Sequence, residues 1–171
     1  MKEGLLIYKL RFISTACLLL FLFGCSSSDI NPIAALQSKP SEAQVEAASF
    51  DLINQDRRDH GLPALQLDVQ VATIARAHST DMRDRNYYSH TSPDGTTFSI
   101  RLRNGGVSFR SAGENLARTT NISDPASFAN SELLKDSGHR SNLLSDRYTR
   151  VGVGVARSGD TYWITQDFIA R

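Results

Sequence analysis

The chain has 171 residues, 40% of them hydrophobic, with 19 basic against 18 acidic side chains and only two cysteines. So even a charge balance gives no broad basic field, and no nucleic-acid partner is expected. Both cysteines, Cys17 and Cys25, stand near the start, which excludes a disulfide framework for everything that follows.

The first 24 residues read as a signal peptide. Lys2, Lys9 and Arg11 form a basic leader, and Phe12 to Phe23 is an apolar run of about a dozen residues. That length is short of the ~20 residues needed to span a bilayer and suits a signal-peptide core. The run ends in Leu22-Phe23-Gly24-Cys25, which resembles a bacterial lipobox, with Phe23 bulkier than usual at its position. Cys25 is then the expected site of cleavage and acylation, palmitate included, and the membrane is a partner through that anchor. Ser26 after the cysteine, by resemblance to Gram-negative lipoproteins, points to the outer membrane. The leader takes three of the 19 basic residues and one of the 18 acids, leaving 16 against 17. Residues 25–40 are rich in Ser, Asn and Pro and read as a flexible tether; residues 41–171 form one domain.

Within that domain the first helix is predicted from Ser41, its cap, with Val45, Ala48, Leu52 and Ile53 on the inner face. His60-Gly61-Leu62-Pro63 ends it, with His60 a C-terminal cation near the last carbonyls. A second helix starts near Asp68, and Val71, Ile74, His78 and Met82 share its apolar stripe. His78 is therefore read as a core histidine, the alternative being a third imidazole in a site. Asn86 to Gly95 is loop, turned at Pro93-Asp94-Gly95. A short helix follows over 96–103, stopped by Gly105-Gly106. A strand is expected around 114–118, helices over 126–134 and near 140–144, then a hairpin. In that hairpin Val151, Val153 and Val155 alternate with glycines, Ser158-Gly159-Asp160 turns, and Tyr162, Ile164 and Phe168 return. The glycines leave one sheet face bare, so another element should pack close there. The order is α+β, with helices covering a small, mostly antiparallel sheet.

Two of the four histidines, His90 and His139, and the carboxylate of Glu114 lie in separate loop-like segments. Brought together, two imidazoles and an acid suit Zn²⁺ or a similar divalent ion, or a metal-free acid/base cluster with Glu114 orienting a histidine. Each histidine alone reads as an ordinary surface or packing residue. Ser89, Ser92 and Ser137 stand near them in sequence, but no nucleophile elbow surrounds any of the three.

The flanking residues add a resemblance. Asn54 and Arg57 before Gly61-Leu62-Pro63, Ala75-Arg76-Ala77-His78-Ser79, Tyr88-Ser89-His90-Thr91-Ser92-Pro93-Asp94-Gly95, Gly113-Glu114-Asn115-Leu116-Ala117, Gly138-His139-Arg140-Ser141-Asn142 and Val151-Gly152-Val153-Gly154-Val155 stand in order. Together they resemble the CAP superfamily of cysteine-rich secretory, antigen 5 and pathogenesis-related 1 proteins (SCP-like domains), over about residues 45–170. The resemblance implies an α-β-α sandwich and a cleft of two histidines and two acids. By motif position His90, His139 and Glu114 match. The fourth falls on Asp136, where many members carry Glu in a Trp-x-x-Glu pattern and this chain reads Leu133-Leu134-Lys135-Asp136. Asp136 is one methylene shorter than Glu, and Glu132 lies one helical step off that face.

The expected function is an envelope-facing, lipid-anchored module whose cleft binds a ligand or a divalent metal, Zn²⁺ preferred, without catalysis. The alternative is a metal- or His-dependent hydrolase of envelope peptides or polymers, with Glu114 as base and His139 or Arg140 at the oxyanion. A further alternative is lipid binding, with Tyr87 and Tyr88 lining an apolar groove.

Overall fold

The computed structural model describes residues 38–171. The expected signal peptide, the expected lipidation at Cys25 and most of the expected tether lie outside the described residues. The domain runs α1 (Glu42–Asp59), β1 (Gln66–Leu67), α2 (Val69–Asp84), α3 (Phe98–Asn104), β2 (Ser111–Thr120), α4 (Pro125–Lys135), α5 (Ser137–Leu143), β3 (Arg150–Ser158) and β4 (Thr161–Ala170). The strands form one sheet in the order β1-β3-β4-β2. Only the two-residue β1, which periodicity is too short to reveal, runs parallel to its neighbour; β2-β4 and β3-β4 are antiparallel. This is the expected α+β fold, a mostly antiparallel sheet between helices.

Helix starts follow local chemistry. Ser41 caps α1 in a reciprocal box with Gln44, Asp68 caps α2, and Asp124 caps α4 with Pro125 at its first turn. The buried stripe of α1 differs from the sequence reading. It holds Val45, Ser49, Ile53, Asn54 and Arg57, while Ala48 faces solvent. Two polar anchors turn the helix this way. Asn54 exchanges both hydrogen bonds with the Leu65 backbone, and Arg57 donates to the carbonyls of Pro63, Leu143 and Ser145. Those bonds satisfy side chains that would otherwise be costly to bury. His60 lies near the last helix carbonyls as expected, its Nδ1 2.7 Å from the Asp56 carbonyl and its Nε2 3.2 Å from Arg140 Nη2.

The two faces of the sheet are packed differently. Toward α1, α4 and α5 lie Val151, Val153, Val155, Ile164 and Phe168, meeting Val45, Ile53, Leu133 and Leu143 in the main core. Toward α2 lie Gly152 and Gly154, as the bare face anticipated. A Cβ on Gly152 would collide with the Ala72 backbone and one on Gly154 with that of Arg76, so α2 rests on the sheet backbone itself. Ser79 seals this contact by donating to the Gly154 carbonyl at 2.9 Å and meeting the Thr165 hydroxyl at 2.8 Å. A smaller apolar cluster of Val71, Leu102, Val107 and Ile169 closes the same side under α3.

Candidate functional site

The site straddles the edge strand β2, and Gly113-Glu114-Asn115 sends each residue to a separate task. Gly113 makes room, since a Cβ there would strike Tyr148 Oη and Asn142 Oδ1. Asn115 turns toward α5, where its amide donates to the His139 carbonyl at 3.2 Å and to Gln166 Oε1 at 3.3 Å. Asn142 returns the link by donating to Asn115 Oδ1 at 2.9 Å and to the Glu114 carbonyl at 3.3 Å. This amide ladder fixes the helix that carries His139 against the strand that carries Glu114.

Glu114 turns to the opposite side, with no exposed side-chain surface. Its Oε1 pairs with His90 Nδ1 at 2.8 Å, and its Oε2 accepts from Arg101 Nη2 at 2.6 Å. His78 Nε2 lies 4.0 Å from Oε2. The charge-assisted bond from Arg101, with the hydrogen bond to His90, compensates the desolvation of a carboxylate that would otherwise not stay buried. Arg101 also donates to the carbonyls of His90 and Thr96, so one guanidinium fixes both the acid and the loop bearing its histidine. The His90 side chain is 50% exposed, and with Nδ1 held by Glu114 its Nε2 faces outward.

His139 sits beside His90, ring centroids 6.2 Å apart and tilted by 37°. Its Nδ1 lies 3.2 Å from Asp136 Oδ1. Asp136 is the N-cap of α5, its Oδ1 accepting the His139 N–H at 2.9 Å; that bond first, then the His139 charge, holds its carboxyl below the ordinary value. The side chain is 59% exposed. Both histidines therefore have a carboxylate near Nδ1, hydrogen-bonded in His90 and at ion-pair distance in His139, and no hydrogen bond among the described residues engages either Nε2. Among the described residues no three His, Cys, Asp or Glu side chains form a ready-made metal cluster.

His78 is the buried residue its stripe predicted, yet it lies directly under the site. Its Nε2 donates to the Ser89 carbonyl at 3.1 Å, and burial first, then the Arg101 charge, pushes its pKa down. Ser92 is buried, bonded to Tyr87 and Arg101, and Ser89 Oγ accepts from the Thr91 amide. Arg140 reaches His60 rather than the cleft, and Glu132 pairs with Lys135. Tyr87 donates to Asp81 at 2.5 Å, while Tyr88 stacks under the Arg118 guanidinium at 5.3 Å.

Two residues escaped the sequence reading. One is Arg101: a buried Glu114 requires a cation, but chain position gives no hint of which. Asp167 is fully buried across the strand pair from Glu114, both oxygens lacking a partner of good hydrogen-bond geometry. Burial first, then the Glu114 charge, raises its pKa well above the usual carboxylate value, favouring the neutral acid. An acid inside the apolar run of β4 was the available signal.

A family model for the cysteine-rich secretory protein family, CAP, matches residues 50–168. The chain is 37% identical over 138 residues to the uncharacterised protein YkwD of Bacillus subtilis (strain 168), covering 78% of this chain and 51% of YkwD. It is 39% identical over 144 residues to the uncharacterised membrane protein YlbC of the same organism, covering 83% and 40% respectively. A crystal structure of an extracellular SCP-domain protein from Bacillus anthracis str. Ames superimposes with a TM-score of 0.66 at 40% identity, covering 78% of this chain and 45% of that one. The chain thus spans about half or less of the length of these relatives. With the matched residues including every element of the cleft, the chain belongs to the CAP family, whose members include extracellular proteins.

Proposed function

We propose that this is a lipid-anchored CAP module of the cell envelope whose cleft binds a divalent metal, Zn²⁺ preferred, through the Nε2 atoms of His90 and His139. The carrying observation is that His90 and His139 lie side by side with a carboxylate near each Nδ1, hydrogen-bonded in His90, which leaves both Nε2 atoms without a hydrogen-bond partner among the described residues, an arrangement suited to histidine ligands. Two nitrogens bonding one ion at ~2.0–2.1 Å in tetrahedral geometry would bring the ring centroids to roughly 5 Å. The present 6.2 Å asks for a closure of about 1 Å. Glu114, with both oxygens engaged, and Asp136, as a helix cap, then serve as supports, and the remaining coordination falls to water or to an external ligand. Such an ion would supply an open Lewis-acid position facing the envelope. Titration calorimetry with Zn²⁺ should show binding by the 41–171 domain that drops at least tenfold in the His90→Ala, His139→Ala double variant. Equal weak binding by both removes the metal reading. Lipidation of Cys25 rests on the sequence before it; loss of palmitate incorporation in Cys25→Ala tests it.

The His90–Glu114 pair favours a second reading, a hydrolase. Here His90, not the enclosed Glu114, is the general base, its imidazolium stabilised by the acid on Nδ1. Cleavage of envelope peptides unaffected by Glu114→Gln would sink it. Lipid binding, a third reading, has a candidate place between α1 and α2, a 330 Å³ cavity lined by Phe50, Leu67, Val69, Ala72 and Val153; lipid extracted from the anchor-free domain tests it.

A further inference from the structure

The two ends of the sheet are finished differently. Beside β3, the short β1 takes the first outward backbone groups, and beyond it the Val155 and Arg157 N–H groups donate to Glu46 and Glu42. Beside β2 no strand follows. The two-residue turn between β3 and β4, with Ser158 paired to Thr161, fixes which residues of β4 face β2. The bond from the Asn121 N–H to the Asp160 carbonyl fits the same alternation. Odd-numbered residues of β2 therefore bond to β4, and the backbone groups of Glu114, Leu116, Arg118 and Thr120 point away from the sheet. α5 covers the first of these, where the Asn142 amide takes the Glu114 carbonyl, and Leu116 is buried. Arg118 and Thr120 are exposed, and among the described residues no hydrogen bond engages their backbone N–H or C=O. One half of the edge is capped and the other is open.

Arg118 lies in a slot of about 200 Å³. Tyr88, under the Arg118 guanidinium, forms its wall on the α2 side, and Phe128 and Leu133 of α4 form the opposite wall. Tyr88 is 43% exposed and Phe128 42%, so the rim carries an uncovered aromatic on each face of the strand. His139 lines the same slot.

We infer that the open half of the β2 edge binds an extended peptide by strand addition. Unpaired N–H and C=O groups at every second residue are matched in spacing by another extended backbone. Successive side chains of such a strand point to opposite faces, where Tyr88 waits on one and Phe128 on the other. The slot is smaller than the ~300–1,000 Å³ of a self-sufficient small-molecule site and suits one bulky side chain of a longer ligand. A second copy of this domain would bring its own α4 and Tyr88 against these walls, so the slot favours a lone strand. The ligand is thus a polypeptide segment with bulky apolar side chains at neighbouring positions, and it passes beside His139. The assignment does not depend on a metal ion.

The probe is Ac-Thr-Thr-Phe-Leu-Thr-Lys-NH2, titrated without added metal into the 38–171 chain, which carries its own core, and followed by amide NMR. A Kd of about 0.1–1 mM is expected, with downfield shifts and slowed exchange at the Arg118 and Thr120 amides. The same peptide N-methylated at every amide keeps its side chains and loses its donors, and should bind at least tenfold more weakly. Arg118→Pro removes an outward N–H without taking a bond from β4, the place where edge strands accept proline. It should abolish binding, while Arg118→Ala, which keeps that N–H, stays within about threefold of the parent. Phe128→Asp, at an exposed helix position away from the strand, should weaken binding at least tenfold. Equal binding of the parent and N-methylated peptides, equal binding by Arg118→Pro and Arg118→Ala, or no shift at about 5 mM probe, several times the expected Kd, would each overturn the assignment. So would a dimer in sedimentation that protects the same two amides in the free protein.

Discussion

The two faces of one sheet do opposite work in this domain. Toward α1, α4 and α5, side chain meets side chain, and valines, Ile164 and Phe168 bury apolar surface. Toward α2, a helix lies on bare glycine backbone, and the space beyond it holds Ser79, Thr165, His78, Glu114 and Asp167, all buried. The first face obtains its stability from area, at about 25 cal/mol per Å². The second depends on fit and on hydrogen bonds, each modest when made and expensive when one partner is lost. The candidate chemistry sits where the fold depends on fit.

Substitutions on each face should break this contrast apart. Gly154→Ala places a methyl on the Arg76 backbone, which no rotamer can relieve. We expect destabilisation of at least ~3 kcal/mol, the upper range for overpacking, together with loss of the ordered His90 signals, because α2 carries His78 beneath the site. Ile164→Ala removes buried apolar volume on the other face at about 2–3 kcal/mol. Urea unfolding should report that loss while the His90 and His139 ring resonances stay in place. If the two variants disturb the histidines equally, the division between the faces is wrong.

The smallest effect is a pH slope. The folded pKa of His78 is pushed below its ordinary 6.5, so below that value the unfolded chain binds a proton that the native chain refuses. Stability is therefore full above about pH 6.5 and falls as the pH drops toward the folded pKa. His78→Gln should flatten this slope, seen as a melting temperature that changes less between pH 7 and pH 5. Asp167 acts differently: its raised pKa means stability present below the unfolded value and lost as the pH rises toward the folded one.

Much of this was legible in the sequence because it is written locally. Ser41, Asp68 and the Val-Gly alternation state helix starts and a bare sheet face through near neighbours alone. The motif order placed His90, Glu114 and His139 in one family's cleft. The partners of those residues were not legible. Arg101 stands 13 residues before Glu114 and Asp167 stands 53 after it, and nothing periodic links them. In sequence Asp136 reads as the fourth acid of the cleft, whereas local capping geometry explains most of what its side chain does.

Where the described chain enters the domain, Lys39 pairs with Asp160 at the β3–β4 turn, and Tyr162 Oη donates to the Pro40 carbonyl at 2.7 Å. A pull on the amino end is thus delivered to the tip of the central hairpin before it reaches α1. Both links are light, an exposed ion pair and one hydrogen bond, so they yield first and the tug then passes to the capped start of α1.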